Sequence, residues 1–162
     1  MRSAALSVLR NGGHLDVPFM RSMLTHAYNW HITQLDTEIP LAAYVDGWGR
    51  KGDTALIAIE DGLRLGAGWY RLFRAAAPGY GFVDDETPEL TIAVVPGRRG
   101  EGIGHELLGG LIERAQVAGY PALSASVQRH HPEVGIFEQA GFETVGETET
   151  ALIMRRPLRP TG

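Results

Sequence analysis

The chain has 162 residues, enough for one domain with a buried core and cramped for two. It has no cysteine, which excludes disulfides, thiolate zinc sites and a cysteine nucleophile, and its formal charge of −4 argues against a general nucleic-acid binder. No apolar run approaches the roughly 18 residues of a membrane span, and the one lysine, Lys51, sits in a polar Gly-Arg-Lys-Gly-Asp turn unsuited to Schiff-base chemistry. A single domain over residues 1–162, located in the cytoplasm and mildly favouring a cationic substrate, is expected.

Ala4 to Arg10 reads as a strand, closed by Asn11-Gly12-Gly13. Asp16 is placed to cap a helix reaching about Tyr28, with Val17, Met20, Leu24 and Ala27 at helical spacing. Pro40 to about Trp48 reads as a second short helix, with Pro40 in the favoured first position. Thr54 to Glu60 and Leu63 to Phe73 are apolar strands joined by Asp61-Gly62, a strong hairpin signal. Arg74 to Pro88 is a surface loop carrying the acidic run Asp84-Asp85-Glu86.

Glu89 to Val95 is the next strand, and Ile103, Leu107, Leu108, Leu111, Ile112 and Ala115 then form the apolar stripe of a helix ending near Gly119. Ala122 to Val127 is a buried strand. Pro132 opens a short helix with Val134, Phe137 and Ala140, which Gly141 caps and Phe142 packs against. Glu143 to Glu147 and Ala151 to Arg155 close the chain as a strand pair. One parallel strand-helix-strand unit between antiparallel pairs gives an α/β (α+β) fold: a mixed, mostly antiparallel sheet with helices on both faces.

The chemistry concentrates where the strand ending at Val95 runs into Pro96-Gly-Arg-Arg-Gly-Glu-Gly-Ile-Gly104. Gly100, Gly102 and Gly104 let backbone approach a ligand closely, the helix that follows offers unpaired N–H groups, and Arg98 and Arg99 add charge that suits a phosphate. A nucleoside-triphosphate loop would need Gly-Lys-Ser/Thr, whereas Ile103, Gly104 and His105 follow Gly102. A dinucleotide site would need Gly-x-Gly-x-x-Gly and an acid after the next strand, yet no Asp or Glu lies between Glu113 and Glu133. Acetyl-coenzyme A is the third reading that competes for this turn, and a family resemblance carries it.

Here the residues resemble the Gcn5-related N-acetyltransferase (GNAT) family, whose hallmark Arg/Gln-x-x-Gly-x-Gly/Ala is matched by Arg99-Gly100-Glu101-Gly102-Ile103-Gly104. The likeness extends over Val94-Val95-Pro96 and Leu107-Leu108, and returns at His131-Pro-Glu-Val-Gly-Ile-Phe-Glu-Gln-Ala-Gly-Phe142, so that two motifs in order cover about a third of the chain. The resemblance implies that acetyl-coenzyme A lies in a splay between the strands ending at Val95 and Val127. Backbone from Arg99 to His105 would then hold the pyrophosphate and Val94 and Val95 would pair with the pantetheine arm, either N–H being able to meet the developing oxyanion. His131 and Phe137 would lie beside the cofactor. A homodimer is common in the family.

Direct transfer needs a neutral amine, but an amine with a pKa of about 10.4 is neutral in only roughly one molecule in 2,500 at pH 7. Glu89, at the start of the strand feeding the glycine turn, is the candidate base, similar in placement to the glutamate of some family members. The family's general acid is a tyrosine where this chain has Phe137, leaving water, Tyr70 or Tyr80 to serve, or no acid at all. A non-catalytic sensor of coenzyme A or acyl-coenzyme A is the alternative. His130-His131 lacks the carboxylate spacing of a metal motif, so no metal is expected. Trp30, Tyr44, Trp69, Tyr70 and Tyr80 could line a pocket for the acceptor, a small amine or a peptide or protein amine.

Overall fold

Asp61 and Gly62 take φ of 53° and 79°, the left-handed pair that a two-residue hairpin turn requires. They join β2 (Thr54–Glu60) to β3 (Leu63–Arg71) in the computed structural model of the protein, which describes residues 8–28, 41–98 and 100–159. β1 (Val8–Asn11) pairs with β2, and β4 (Glu89–Val94) pairs antiparallel with β3. β4 then leads through α2 (Ile103–Ala118) to β5 (Ala122–Gln128), the parallel neighbour of β4. After α3 (Glu133–Gln139), β6 (Glu143–Glu147) and β7 (Ala151–Pro157) complete one sheet in the order β1-β2-β3-β4-β5-β7-β6, every pairing but β4-β5 being antiparallel.

The period of two along the strands divides the core between two faces. On one, Leu90, Ile92 and Val94 meet Leu107, Leu108 and Leu111 of α2 and Phe137 of α3. On the other, Ala67, Trp69 and Ala93 meet Met20, Met23 and Leu24 of α1 (Val17–Tyr28). Each fully buried Leu or Met stabilises the fold by about 1.5–3 kcal/mol relative to exposure. α2 comes unusually close to the sheet because two glycines remove the obstacles. A Cβ on Gly68 would lie 2.8 Å from Leu111 Cδ1, and one on Gly110 2.6 Å from Leu56 Cδ1.

Two expectations near the N-terminus are corrected. Asp16 does not cap α1; it closes a 3-10 turn (His14–Asp16) and its buried carboxylate takes Arg10 at 2.7 and 2.9 Å, Arg64 at 3.0 Å and the Gly13 N–H at 3.0 Å. Long-range charge outcompetes the local cap. The expected helix from Pro40 to Trp48 is a single 3-10 turn, Leu41–Tyr44, and Pro40 itself lies outside the described residues. The expected strand from Ala4 is described from Val8 and continues to Asn11.

Candidate active site

β4 and β5 share one register pair, Glu89 with Ser124, fastened by the Ser124 N–H to the Pro88 carbonyl at 3.0 Å. Beyond it the strands separate. At the wide end, a 3-10 turn (Pro96–Arg98) leads to Gly100 and Gly102, which take φ of 84° and 90°. No protein atom stands within 4 Å of a Cβ placed on either, so within the protein itself glycine is required there by backbone conformation and not by crowding. Gly102 precedes α2, whose first N–H groups have no partner within the helix.

This turn, Val94, His131, Pro132 and Ile136 enclose a cavity of about 540 Å³, and Ile103, Gly104 and the exposed His105 lie on its wall. Arg98 also lines it, but its guanidinium is bound by Glu60 and by both oxygens of Glu101 at 2.9 and 3.0 Å, which raises its pKa. The exposed Glu101 is thus turned to Arg98. Arg99 lies outside the described residues. The cavity offers the open helix end and backbone donors that suit a phosphate group.

The backbone separates the two expected pantetheine partners. The Val95 N–H donates to the Leu65 carbonyl at 2.8 Å and is therefore spent in the ladder. Alternation along the strand turns the Val94 N–H the other way, toward the gap left by β5. Of the two oxyanion donors expected, only Val94 faces the wedge.

At the narrow end Glu89 is fully buried on the α1 face, and burial pushes its pKa up to about 7 against a hydrogen bond from Tyr44 and a weaker contact from the Gly81 N–H. The Tyr44 hydroxyl donates to Glu89 Oε2 and accepts the Tyr80 N–H at 2.8 Å. Glu89 Oε1, Thr91 Oγ1 and Ser124 Oγ are buried without a hydrogen-bond partner among the described residues. Buried oxygens in that state favour occupation by water or substrate. A narrow space bounded by Thr91, Ser126, Gln128, His131 and Phe137 lies between this polar patch and the cavity, sharing Thr91 with the one and His131 with the lining of the other.

The loop before β4 seals the carboxylate. A Cβ on Gly79 would lie 2.9 Å from Tyr44 Oη, 3.1 Å from Glu89 Cδ and closer still to Oε1, while one on Gly81 would lie 2.7 Å from the β5 backbone at Ala125 and Ser126. Only residues without side chains fit between Glu89 and β5.

The remaining candidates divide. Tyr70 is corrected: it sits on the α2 face, stacked edge-on with Tyr120 at 5.8 Å, its pKa raised by burial, whereas its neighbours Trp69 and Arg71 face α1. Strand alternation places its hydroxyl across the sheet from Glu89. Tyr80 lies on the Glu89 side, half-buried. His131 Nδ1 accepts the Glu133 N–H at 3.0 Å and so caps α3. Phe137 packs edge-on against Phe142 at 5.0 Å. Trp30 lies outside the described residues. Among the described residues no group of three or more His, Asp or Glu gathers for a metal, and no helix is long and apolar enough to cross a membrane.

Tyr44 as the partner of Glu89 was not legible in advance, nor was the buried pair of Arg71 with Asp53 beneath it at 2.7 Å. Their partners are distant in sequence, and an arginine in an apolar strand was the one available signal.

A mixed sheet opened by a splayed parallel pair, with a glycine turn at the mouth and a buried carboxylate at the root, defines an acyl-transfer fold. The model of the acetyltransferase (GNAT) family matches residues 17–142, and the chain belongs to that family. The L-methionine sulfoximine/L-methionine sulfone acetyltransferases of Pseudomonas paraeruginosa and Pseudomonas aeruginosa are each 30% identical over 145 residues, 86% of this chain and 81% of theirs. Among solved structures, the ribosomal-protein-alanine N-acetyltransferase of Brucella melitensis superposes with a TM-score of 0.69 at 25% identity, over 93% of this chain and 99% of its own. The Salmonella typhimurium protein yncA, solved with its cofactor acetyl-CoA, has a TM-score of 0.71 at 22% identity, over 97% and 96%.

Proposed function

We propose that the protein transfers the acetyl group of acetyl-coenzyme A to a primary amine by direct attack, with Glu89 as the base. The observation that carries this reading is the splay of β4 from β5, with a glycine-lined cavity at its wide end and a fully buried carboxylate with a pKa of about 7 at its narrow end. Acetyl-coenzyme A, when bound, supplies a thioester carbonyl as the electrophile. The N–H groups of Ile103, Gly104 and His105 take the pyrophosphate, with Arg99 as a further contact, and the Val94 backbone positions the arm and meets the developing oxyanion. Orientation of this kind supplies on the order of 7–11 kcal/mol when the geometry is good.

A base with a pKa of about 7 is matched to neutral pH: it is ionised in a large fraction of molecules and still basic enough to hold the proton it receives. Because Glu89 is sealed from bulk water, this reading routes the amine's proton through water held by Glu89 Oε1 and the unpartnered Ser124 and Thr91 hydroxyls. Phe137 offers no proton to the leaving thiolate, which with a pKa near 8.5 departs without one. The curated relatives are named for the amino acids methionine sulfoximine and methionine sulfone, which makes small α-amino acids the first acceptors to try.

Thiol release from acetyl-coenzyme A, measured with a panel of amines headed by those two, tests the reading. Turnover with at least one amine and a drop of about 10²–10⁴-fold in Glu89→Gln are expected. Failure to bind acetyl-coenzyme A at millimolar concentration refutes the cradle, and tight binding with no turnover on any amine supports the sensor reading instead.

A further inference from the structure

The floor beneath Glu89 is built more elaborately than packing requires. Tyr44 is 1% exposed, 45 residues from its carboxylate partner in sequence, and belongs to neither motif of the glycine turn nor of α3. A phenol has one proton. Since the Tyr80 N–H donates to the hydroxyl oxygen at 2.8 Å, that proton is directed to Glu89 Oε2. We propose that Tyr44 is a positioning residue for acetyl transfer, its hydroxyl holding the Glu89 carboxylate in one orientation and favouring the form that accepts a proton; this rests on Glu89 being the base.

The turn that carries Tyr44 is clamped on both sides. Arg71 of β3 donates from Nη1 to the Ala43 carbonyl at 3.0 Å and the Asp46 carbonyl at 2.6 Å, and its other nitrogens grip Asp53 at 2.7 and 3.0 Å. Its guanidinium also lies over the Trp48 ring, 5.2 Å from the centroid. Trp69 Nε1 donates to the Tyr44 carbonyl at 3.1 Å, and the Phe73 ring stands 5.0 Å from the Tyr44 ring. A buried ion pair contributes little net stability over an apolar substitute. Fixing a backbone turn in register is what this one accomplishes, and the side chain so fixed is aimed at the candidate base.

Packing alone does not explain the hydroxyl. A phenylalanine would fill the same space against Phe73, whereas the hydroxyl links three segments: the 3-10 turn, the loop at Tyr80 and the start of β4. Among the described residues only the weaker Gly81 N–H contact acts on Glu89 in the same sense. Arg71 is its cross-strand partner on β3, but that guanidinium is taken up by Asp53 and the two carbonyls. From β5 comes neutral Ser124, from the loop the Gly81 N–H and Tyr80, and from α1 the apolar Met20, Met23 and Leu24, while the Arg21 of that helix is exposed and paired with Asp46. Among the described residues no other acid or base faces the carboxylate.

The test is the titration of Glu89 itself, read by 13C NMR of carboxyl-labelled glutamate and assigned by the signal that Glu89→Gln removes. In Tyr44→Phe the Glu89 midpoint is expected to rise by about one pH unit or more, the equivalent of losing a hydrogen bond to a charged acceptor. The acid limb of the kcat/KM profile for thiol release should move with it while KM for acetyl-coenzyme A stays within about twofold. Should Tyr44→Phe fail to fold, Trp69→Phe keeps the hydroxyl and every charge, removes only the hydrogen bond to the Tyr44 carbonyl that helps fix the turn, and a smaller rise in the same direction is expected. A midpoint that does not move in the folded variant overturns the proposal. Thiol release that ignores Glu89→Gln overturns the base assignment instead, whatever the titration shows.

Discussion

Replacing Glu89 by glutamine should change how stability depends on pH, and the sign follows from where the proton resides. Burial raises the folded-state pKa from an ordinary 4.5 to about 7. Between those values the folded chain keeps a proton that the unfolded chain has released, so raising the pH favours unfolding across that window and has no further effect above it. At about 1.4 kcal/mol per pH unit the full window is worth about 3 kcal/mol, of which about 2–3 kcal/mol falls between pH 5 and pH 8. Glutamine is the same size and does not titrate. In urea unfolding at pH 5 and pH 8, Glu89→Gln should therefore gain about 2–3 kcal/mol over wild type on going to the higher pH. A constant difference at the two pH values would refute the reasoning, because it would mean that Glu89 is not held in a desolvated site.

Gly79→Ala tests the seal: its added Cβ collides with Glu89 and the Tyr44 hydroxyl without any backbone penalty, so a stability loss of about 1–3 kcal/mol and at least a tenfold fall in thiol release are expected, with acetyl-coenzyme A affinity by calorimetry unchanged. Gly102→Ala meets open space but must adopt φ near 90°, and should cost about 1–3 kcal/mol in thermal unfolding and weaken acetyl-coenzyme A binding. Asp16→Asn removes a carboxylate whose pKa Arg10, helped by the Gly13 N–H and Arg64, holds well below the usual range. That stabilisation is present above the ordinary carboxylate pKa and lost as pH falls further, so the variant should lose about 1–3 kcal/mol at pH 7 and progressively less in an acid titration followed by circular dichroism.

How far the fold could be read in advance depended on whether the deciding interaction was local. Asp61-Gly62 needs only its own backbone to make a hairpin, and Gly100 to Gly104 need only the strand before and the helix after. The apolar stripe of α2 is likewise a property of consecutive turns. Asp16 shows the opposite case. Its neighbours favour a helix cap, but Arg10 on β1 and Arg64 on β3 bring two cations that no local pattern reveals. Tyr70 reads as a plausible acid until the pleat of β3 sends it to the α2 face. Glu89 could be singled out by its place before the glycine turn, but its burial and its phenol partner arise only when the turn at Leu41–Tyr44 and the loop at Gly79 fold over it.

The single register pair between β4 and β5 makes the sheet two plates, β1 to β4 and β5-β7-β6, joined along one seam with α2 lying across it. If acetyl-coenzyme A binds in that seam, as proposed, it replaces missing inter-strand contacts and so behaves as a structural element supplied from solution. At a ligand concentration one hundred times its Kd, mass action adds about 2.7 kcal/mol to the folded state. The durability of this protein is therefore expected to rise and fall with the supply of its own substrate.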